Sequence, residues 1–217
     1  MIVSECYERT VRLDVPGDFG SGFTISRNRS QWLITADHLT HEVDESDILV
    51  SYHGDRVDVG LTRVPNLYPT VDVATYRLDR SITPELDLNP TSDGVVFSQD
   101  VYFLGYPHGL GLQMDGVVRL PFVKKAIVSA SDSTSSGQER WYLDGINNPG
   151  FSGGPVVFCR NGTTHWQVMT IVSGYLSEKN KVVDGGSGAV LANTGIIVAN
   201  DIRYAVESID AFTANES

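Results

Sequence analysis

The chain has 217 residues, of which 41% are apolar and 20% are charged, and its formal net charge is −11. This length suits one large all-β domain or two small ones, and it is sufficient to bury a core. Because nucleic-acid phosphates bind to a basic face, the acidic balance argues against nucleic acid as a partner.

The first fourteen residues, MIVSECYERTVRLD, contain no basic leader region. Glu5, Glu8 and Arg9 interrupt their apolar run, so a signal peptide is not expected. No stretch approaches the roughly 18 apolar residues of a membrane span, and no membrane partner is expected. Cys6 and Cys159 are the only cysteines. They favour two reduced thiols in a cytoplasmic protein, with an exported protein as the alternative.

Short β-branched or alternating runs bounded by turn residues predict two sets of six strands. The first set lies near Thr10–Asp14, Gly22–Ser26, Trp32–Thr35, Ile48–Tyr52, Val57–Arg63 and Val71–Leu78. The second lies near Val95–Gly105, Val117–Ala130, Arg140–Asp144, Pro155–Cys159, Trp166–Tyr175 and Val190–Val198. Regularly spaced short strands of this kind indicate a sandwich or a barrel.

The segments between and after these strands complete the predicted organisation. The polar, proline-containing stretch Ser81–Asp93 indicates a connector. Ser131–Gln138 and Ser177–Gly188 indicate exposed loops. Only the tail, Ile202–Phe212, has helical spacing of its apolar residues, and Asn200 or Asp201 is expected to cap it.

The stretch NNPGFSGGPVV, Asn147–Val157, surrounds one serine with glycine and proline. It is either a loop that holds Ser152 as a nucleophile or a glycine-rich turn between two strands. A serine hydroxyl needs a base to become nucleophilic near neutral pH. Histidine titrates in that range, and the chain offers His38, His41, His53, His108 and His165.

His38 has the most favourable position, because it directly follows an apolar strand in WLITADHLT. A strand end that leads into a short turn holds a side chain rigidly beside a cleft. A metal pair with His41 is the alternative. No further Cys or His at ligand spacing supports it, so no metal or cofactor is expected.

Asp72 is the candidate for the third group, which fixes the tautomer of the histidine. It lies among apolar neighbours in TVDVATYRL, and an aspartate in such a run is costly to bury without a partner. A solvated aspartate at a strand edge is the alternative interpretation. Asp58, in RVDVGL, is the reserve candidate.

The order GSGF, TADH, DVA and GFSGGP resembles the chymotrypsin/trypsin clan of serine peptidases. The resemblance is strongest to the disulfide-free bacterial domains related to the high-temperature-requirement proteases. It extends over about residues 20–209 and includes GYPHG and TGIIVAND. It implies an all-β fold of two six-stranded antiparallel barrels with a C-terminal α-helix. The expected division is 1–80 for the first barrel, 81–93 for a connector, 94–199 for the second barrel and 200–217 for the helix and tail.

The order His38, Asp72, Ser152 is that of chymotrypsin-type triads. GFSGG also matches the GxSxG pattern of α/β-hydrolases, in which an acid and then a histidine follow the serine. Only His165 follows Ser152, and residues 153–164 contain no acid. In that fold the serine opens a helix, whereas Gly-Gly-Pro-Val-Val after Ser152 has low helix propensity and so disfavours it.

The loop glycines suit the chemistry of acyl transfer. Backbone N–H groups of Gly150 and Ser152 are expected to form an oxyanion hole, which needs backbone shapes that glycine adopts readily. Ser152 would attack the scissile carbonyl, and His38 would take its proton and return it to the leaving amine. Asp72 would orient His38.

Two residues depart from the family pattern. In activated trypsins the residue before the serine is an aspartate that pairs with a newly cut N-terminus, whereas this chain has Phe151. Zymogen cleavage of that kind is therefore not expected. Asp37 replaces the small residue that usually precedes the histidine. Its expected state is solvated, and a raised pKa of His38 is the alternative.

The resemblance also implies the substrate pocket, with walls from Gly145–Asn147, Val172–Tyr175 and Gly195–Ile197. The predicted pocket residues are Ile146, Asn147, Ser173, Gly174, Tyr175 and Gly195. The position of the trypsin aspartate aligns near Ile146, which favours a small or apolar residue before the scissile bond. Tyr175 is expected to narrow the pocket. An alignment shifted by two residues would bring in Asp144 instead.

The sequence therefore predicts a serine endopeptidase that acts on proteins or peptides. A regulatory partner or the two predicted loops are expected to control it. One alternative is an inactive domain of the same fold that serves as a protein-binding module. The unusual Asp37 before the histidine is the reason for considering it. The other is a non-peptidase β-barrel interaction protein.

Overall fold

The computed structural model describes residues 4–86, 88–114, 116–133, 138–160, 162–181 and 189–216. Helix α1 spans Ser4–Glu8 and helix α2 spans Arg203–Asn215. Within the described residues the first-half strands are β1 (Thr10–Val15), β2 (Asp18–Arg27), β3 (Ser30–Thr35), β4 (Leu49–Tyr52), β5 (Asp55–Val57), β6 (Leu61–Arg63) and β7 (Ala74–Leu78). The later strands are β8 (Asn89–Pro90), β9 (Asp100–Gly105), β10 (Gly111–Met114), β11 (Val117–Ser133), β12 (Glu139–Asp144), β13 (Pro155–Cys159), β14 (Trp166–Lys181) and β15 (Ala189–Asp201).

The first sheet curls into a half-barrel with strand order β5-β4-β1-β2-β3-β7-β6. Its central strands β2 and β3 are buried on both faces, because successive side chains of β3, such as Leu33 and Ile34, pack into two different apolar clusters. Phe23 of β2, for example, is paired with Ile34 of β3, and both are fully buried. Both side chains belong to an apolar cluster that also contains side chains of the second sheet.

The second sheet closes into a barrel of six strands. The order is β11-β12-β15-β14-β13-β9, and β9 pairs with β11 to complete the ring. Strand β10 forms a hairpin with β11, and the short β8 pairs in parallel with β14. A barrel and a curled antiparallel sheet followed by a C-terminal helix confirm the predicted chymotrypsin-like fold class.

One apolar cluster joins the two sheets and helix α2, and we call it the inter-barrel cluster. All its members are almost completely buried. They include Phe23, Ile25, Trp32 and Ile34 from the first sheet, Leu104, Val157, Val168 and Ile171 from the second, and Ile202, Tyr204, Ala205 and Ile209 at the helix. The predicted apolar face of α2 thus packs on both sheets, and Asp201 accepts a hydrogen bond from the N–H of Arg203 at its start (2.9 Å).

Two strands of the first sheet differ in their bounds from the sequence prediction. The predicted strand Val57–Arg63 is two strands, β5 and β6, separated around the exposed Asp58. The predicted strand Val71–Leu78 begins only at Ala74, because Val73 donates to the carbonyl of Val71 in a tight turn. Asp72 therefore lies in a turn rather than within a strand.

The two predicted loops begin as strands. Strand β11 continues to Ser133, and β14 and β15 extend as a paired ribbon to Lys181 and from Ala189. A polar ribbon beyond the barrel lacks the alternation of a half-buried strand, so its sequence does not indicate it. Residues 134–137 and 182–188 of these predicted loops lie outside the described part of the chain. Helix α1, the two-residue strand β8 inside the predicted connector, and strand β10 are additional elements that the pattern did not predict.

Of the helices in the described residues, neither has the length and apolar character needed to cross a membrane.

Candidate active site

His38 lies in a 3₁₀ turn, Asp37–Leu39, that directly follows β3. Thr40 and His41 both donate their N–H groups to the carbonyl of Asp37 (2.9 Å each), which closes the turn. Leu39 is 5% exposed and anchors the turn in the protein. The predicted placement of His38 at a strand end is therefore observed, with its ring at the edge of the first sheet.

Asp72 contacts His38 through both carboxylate oxygens. Oδ1 accepts the backbone N–H of His38 (2.8 Å), and Oδ2 lies 2.8 Å from its ring Nδ1. The Ser173 hydroxyl donates to the same Oδ2. The turn that precedes β7 directs the carboxylate toward the 3₁₀ turn, and its side chain is only 25% exposed. The reserve candidate, Asp58, is instead exposed, and Arg80 donates to its backbone carbonyl.

The pKa values of the pair shift in opposite directions. The hydrogen bond to Asp72 raises the pKa of His38 above its ordinary value against the opposing effect of burial, and Asp18 and Asp37 add smaller effects of the same sign as Asp72. Burial alone would raise the pKa of Asp72. Hydrogen bonds from His38 and Ser173 outweigh it, so this pKa lies below its ordinary value. The pair favours a charged carboxylate beside a histidine that accepts protons readily.

The Ser152 hydroxyl lies on the loop that precedes β13, in the second half of the chain. It donates to the backbone carbonyl of Ser173 at 3.4 Å, and among the described residues this is its one hydrogen bond. The distance is long for an O–H···O bond, so the hydroxyl is weakly held. Ser173 therefore contacts Ser152 with its carbonyl and Asp72 with its hydroxyl, and it joins the two halves of the site.

The glycines around Ser152 are required by close contacts. Gly153 has φ of +81°, and a Cβ there would overlap the carbonyl oxygen of Ser21 and the Thr35 hydroxyl. A Cβ at Gly154 would overlap the carbonyl oxygen of Leu104. Only glycine tolerates both the left-handed backbone and this approach. These contacts bring the loop directly against the first sheet.

The peptide group before Gly150 has a defined orientation. The carbonyl of Pro149 accepts the N–H of His108 at 2.9 Å. The peptide bonds of the described chain are trans, so the N–H of Gly150 points away from that carbonyl. Among the described residues this N–H donates to no acceptor.

The peptide group before Ser152 is held in a similar way. The carbonyl of Phe151 accepts the N–H of Gly154 at 2.9 Å, so the Ser152 N–H points to the other side. It too donates to no acceptor within the described part of the chain. The loop therefore presents two free N–H groups, at Gly150 and Ser152, which are available to bind an anionic oxygen.

Asp37 is paired rather than solvated, which corrects the sequence expectation. Its carboxylate accepts a hydrogen bond from the Arg63 guanidinium. The same guanidinium also donates to the carbonyl of Thr40 (3.0 Å) and to the Tyr76 hydroxyl (2.8 Å). Arg63 lies on β6 and thus ties the 3₁₀ turn of His38 to the first sheet. The alternative effect, on the pKa of His38, is present but is the smallest of the contributions.

The predicted pocket residues lie in two different environments. Ile146 and Tyr175 are 58% and 40% exposed, whereas Asn147 is 2% exposed and its Oδ1 has no hydrogen-bond partner among the described residues. The carbonyl of Asn147 accepts the Asn193 side-chain amide (2.7 Å), and Gly195 donates to Asn193 Oδ1 (2.9 Å). Ile146 and Tyr175 therefore expose apolar side chains to solvent. Gly174 and Ser173 form the neighbouring part of β14.

The described residues contain no group of three His, Cys, Asp or Glu side chains placed to hold a metal ion. His41 lies 3.6 Å from Glu42 at the surface.

Two contacts to Asp72 had no signal in the sequence. Ser173 was predicted only as a pocket residue, and its hydroxyl contact with Asp72 was missed. Asn200, predicted as a helix cap, donates its side-chain amide to the backbone carbonyl of Asp72 at 3.2 Å. Both residues come from the second barrel, and the apolar or polar pattern of a strand does not specify a partner 101 or 128 residues away.

A family model described as trypsin-like peptidase domain matches residues 20–163. No curated protein gives a significant match.

Several solved structures are similar in fold. The HtrA-type protease AlgW with tripeptide has a TM-score of 0.70 and 23% sequence identity to this chain. The match covers 96% of this chain and 61% of the AlgW chain. The chain thus spans about three fifths of that protein. The active form of the Rv3671c protease from M. tuberculosis has a TM-score of 0.65 and 18% identity, covering 95% of this chain and 82% of its own. Its inactive form gives the same TM-score at 17% identity, covering 97% and 91%.

Proposed function

Because the chain belongs to the trypsin-like peptidase domain family, we propose that it is a serine endopeptidase with Ser152 as nucleophile, His38 as general base and Asp72 as the orienting carboxylate. The observation that carries this proposal is the 2.8 Å contact between Asp72 Oδ2 and His38 Nδ1. It leaves Nε2 as the ring nitrogen that exchanges a proton with the substrate side. A charged carboxylate at Nδ1 stabilises the imidazolium that forms during the reaction.

The first half of the reaction would form an acyl-enzyme. The Ser152 hydroxyl rotates from its weak contact with Ser173 toward His38 Nε2, which takes its proton as the oxygen attacks the scissile carbonyl. The developing oxyanion accepts hydrogen bonds from the free N–H groups of Gly150 and Ser152. His38 then donates the proton to the leaving amine.

The second half hydrolyses the acyl-enzyme. A water molecule replaces the amine, loses its proton to His38 and attacks the ester carbonyl. The same two N–H groups stabilise the second tetrahedral intermediate. Return of the proton to Ser152 restores the starting state, so the cycle uses only side chains and backbone of this chain.

A fluorophosphonate probe tests this proposal, since it reacts only with an activated serine. We expect labelling of the native protein and its loss in Ser152→Ala and His38→Ala. Ser46→Ala, which removes an exposed serine hydroxyl away from the loop, is the matched control and should label normally. Well-folded native protein that stays unlabelled would contradict the proposal and favour the protein-binding module.

That alternative was motivated by Asp37. The ion pair with Arg63 gives Asp37 a structural partner, whereas Asp72 contacts His38. The peptidase therefore remains the function that the geometry supports best.

The proposed substrate has a small or apolar residue before the scissile bond. The exposed apolar side chains of Ile146 and Tyr175 support this preference. A peptide library should show cleavage after Ala, Val or Leu in preference to Arg or Lys. Preferred cleavage after basic residues, abolished by Asp144→Asn, would instead identify Asp144 as the specificity residue.

A further inference from the structure

We call residues 147–154, which precede β13, the oxyanion loop. Its Phe151 offers no carboxylate for an ion pair, so other contacts must hold the loop in shape. The Phe151 ring is fully buried and packs edge-on against Phe103, with ring centroids 4.7 Å apart. This packing anchors one side chain of the loop. It does not by itself orient the peptide groups on either side.

Ser21, in the GSGF segment of β2, donates hydrogen bonds to two carbonyls of this loop. Its hydroxyl donates to the carbonyl of Gly150 at 2.6 Å, and its backbone N–H donates to the carbonyl of Ser152 at 2.8 Å. The same hydroxyl accepts the N–H of Tyr106 at 2.9 Å. One buried residue of the first sheet thus holds the carbonyls that flank Phe151 and Ser152.

The surroundings leave the Ser21 hydroxyl little freedom. Ser21 is fully buried, and its own carbonyl accepts the Thr35 hydroxyl at 2.8 Å. A Cβ at Gly105 would lie 2.5 Å from Ser21 Oγ and 2.8 Å from the Phe151 ring. The glycine of GYPHG therefore makes room for both anchors of the loop. A buried hydroxyl with both donor and acceptor satisfied is a rigid connection.

We infer that Ser21 is a positioning residue that keeps the Gly150 and Ser152 N–H groups directed toward the oxyanion, in place of a terminal ion pair. This inference rests on the proposed function. The Gly150 carbonyl belongs to the peptide group that lies between the two peptide groups carrying these N–H donors. Without the Ser21 hydroxyl, this central peptide group keeps only the 3.2 Å hydrogen bond from the Phe151 N–H to the Asn148 carbonyl. Its rotation would change the backbone angles on both sides and so redirect the Gly150 and Ser152 N–H groups. A small misplacement of such donors reduces catalysis without removing any group that touches substrate.

The test compares Ser21→Ala with Ser208→Ala. Ser208 is the matched control, because its buried hydroxyl also joins a carbonyl, that of Tyr204 (2.8 Å), to an N–H, that of Leu67 (3.3 Å), away from the site. Rates are normalised to active sites titrated with the fluorophosphonate probe. We expect kcat to fall roughly 10- to 100-fold in Ser21→Ala, with KM within about two-fold of the native value.

A peptide boronic acid supplies a second readout, since its tetrahedral adduct places an oxygen in the oxyanion hole. Its affinity should fall in Ser21→Ala by about the same factor as kcat/KM. Ser208→Ala should keep both kcat and boronate affinity, although it is also destabilised. A purely structural role of Ser21 would change the folded fraction of both variants alike.

The outcomes separate the two proposals. Native protein with neither turnover nor labelling overturns the proposed function, and with it this inference. If the native protein is active and Ser21→Ala has the same kcat as Ser208→Ala, the inferred role of Ser21 is overturned and the proposed function stands. A rise in KM at unchanged kcat would also overturn it.

Discussion

Asp72 shows how one side chain determines the chemistry of its neighbours. Its two oxygens accept the His38 N–H, face the His38 ring and accept the Ser173 hydroxyl. These contacts keep the carboxylate charged and raise the pKa of His38. Because a general base must be neutral to accept a proton, activity should be lost as the pH falls through that raised pKa.

Asp72→Asn removes the charge and replaces one acceptor oxygen with an amide. We expect kcat to fall roughly 10⁴-fold, because the amide stabilises the wrong histidine tautomer. The acid limb of the kcat/KM profile should move to lower pH, since the main effect that raises the pKa of His38 is lost. Asp58→Asn, at an exposed aspartate, should leave both unchanged. An acid limb at the same pH in both variants would contradict the assignment.

Phe151 contributes packing at the position where activated trypsins have an aspartate. Phe151→Ala should lower the free energy of unfolding by about 3–5 kcal/mol, because it opens a cavity beside Phe103. Phe97 is 60% exposed, and its replacement by Ala should cost under about 0.5 kcal/mol. Urea unfolding of both variants measures the difference. Equal losses would show that the Phe151 ring does not anchor the loop.

At the scale of elements, local motifs were predictable where the sequence itself specifies the backbone. Strand β13 matches its predicted bounds, since Pro155 begins it and a β-branched run continues it. Asp72 was placed in a strand because Val71 and Val73 continue the apolar pattern. Their side chains are buried, but their backbone forms a turn. Over so few residues, a buried turn and a buried strand have the same pattern of apolar residues in the sequence.

The contact between β2 and the oxyanion loop could not be predicted in the same way. Ser21 and Gly150 are separated by 129 positions, and the acceptor is a backbone carbonyl. A carbonyl is the same in every residue, so no residue type at position 150 signals its partner. Only the polar Ser21 between two glycines was visible, and its hydroxyl had no predicted role.

Gly153 offers a test of this close approach between elements. Gly153 and Gly17 both have φ of +81°, but a Cβ at Gly17 meets nothing within 4 Å. Gly17→Ala should therefore cost only the backbone strain, about 1–2 kcal/mol. Gly153→Ala adds overlap with Ser21 and Thr35, roughly 1–3 kcal/mol more, and should abolish labelling of Ser152. Equal stability of the two variants, with labelling retained, would contradict the close approach.

For the whole molecule, the site is an arrangement that neither sheet contains alone. His38 and Asp72 come from the first half of the chain, whereas Ser152 and Ser173 come from the second. The inter-barrel cluster holds the two sheets and α2 together through buried apolar side chains. Because such a shared core transmits the loss of one sheet to the other, the halves should unfold together.

Two matched core variants test this cooperativity. Leu13 packs in the core of the first sheet and Leu143 in that of the second, and both are fully buried. Either Leu→Ala change should lower the free energy of unfolding by about 2–5 kcal/mol. In both variants, circular dichroism and Ser152 labelling should report one midpoint, and the calorimetric and van't Hoff enthalpies should agree. The opposite result would be a separate early transition in Leu13→Ala that abolishes labelling, followed by unfolding of the second sheet at its native midpoint. The two sheets would then be independent units. The catalytic arrangement would then depend on docking between them rather than on a common core.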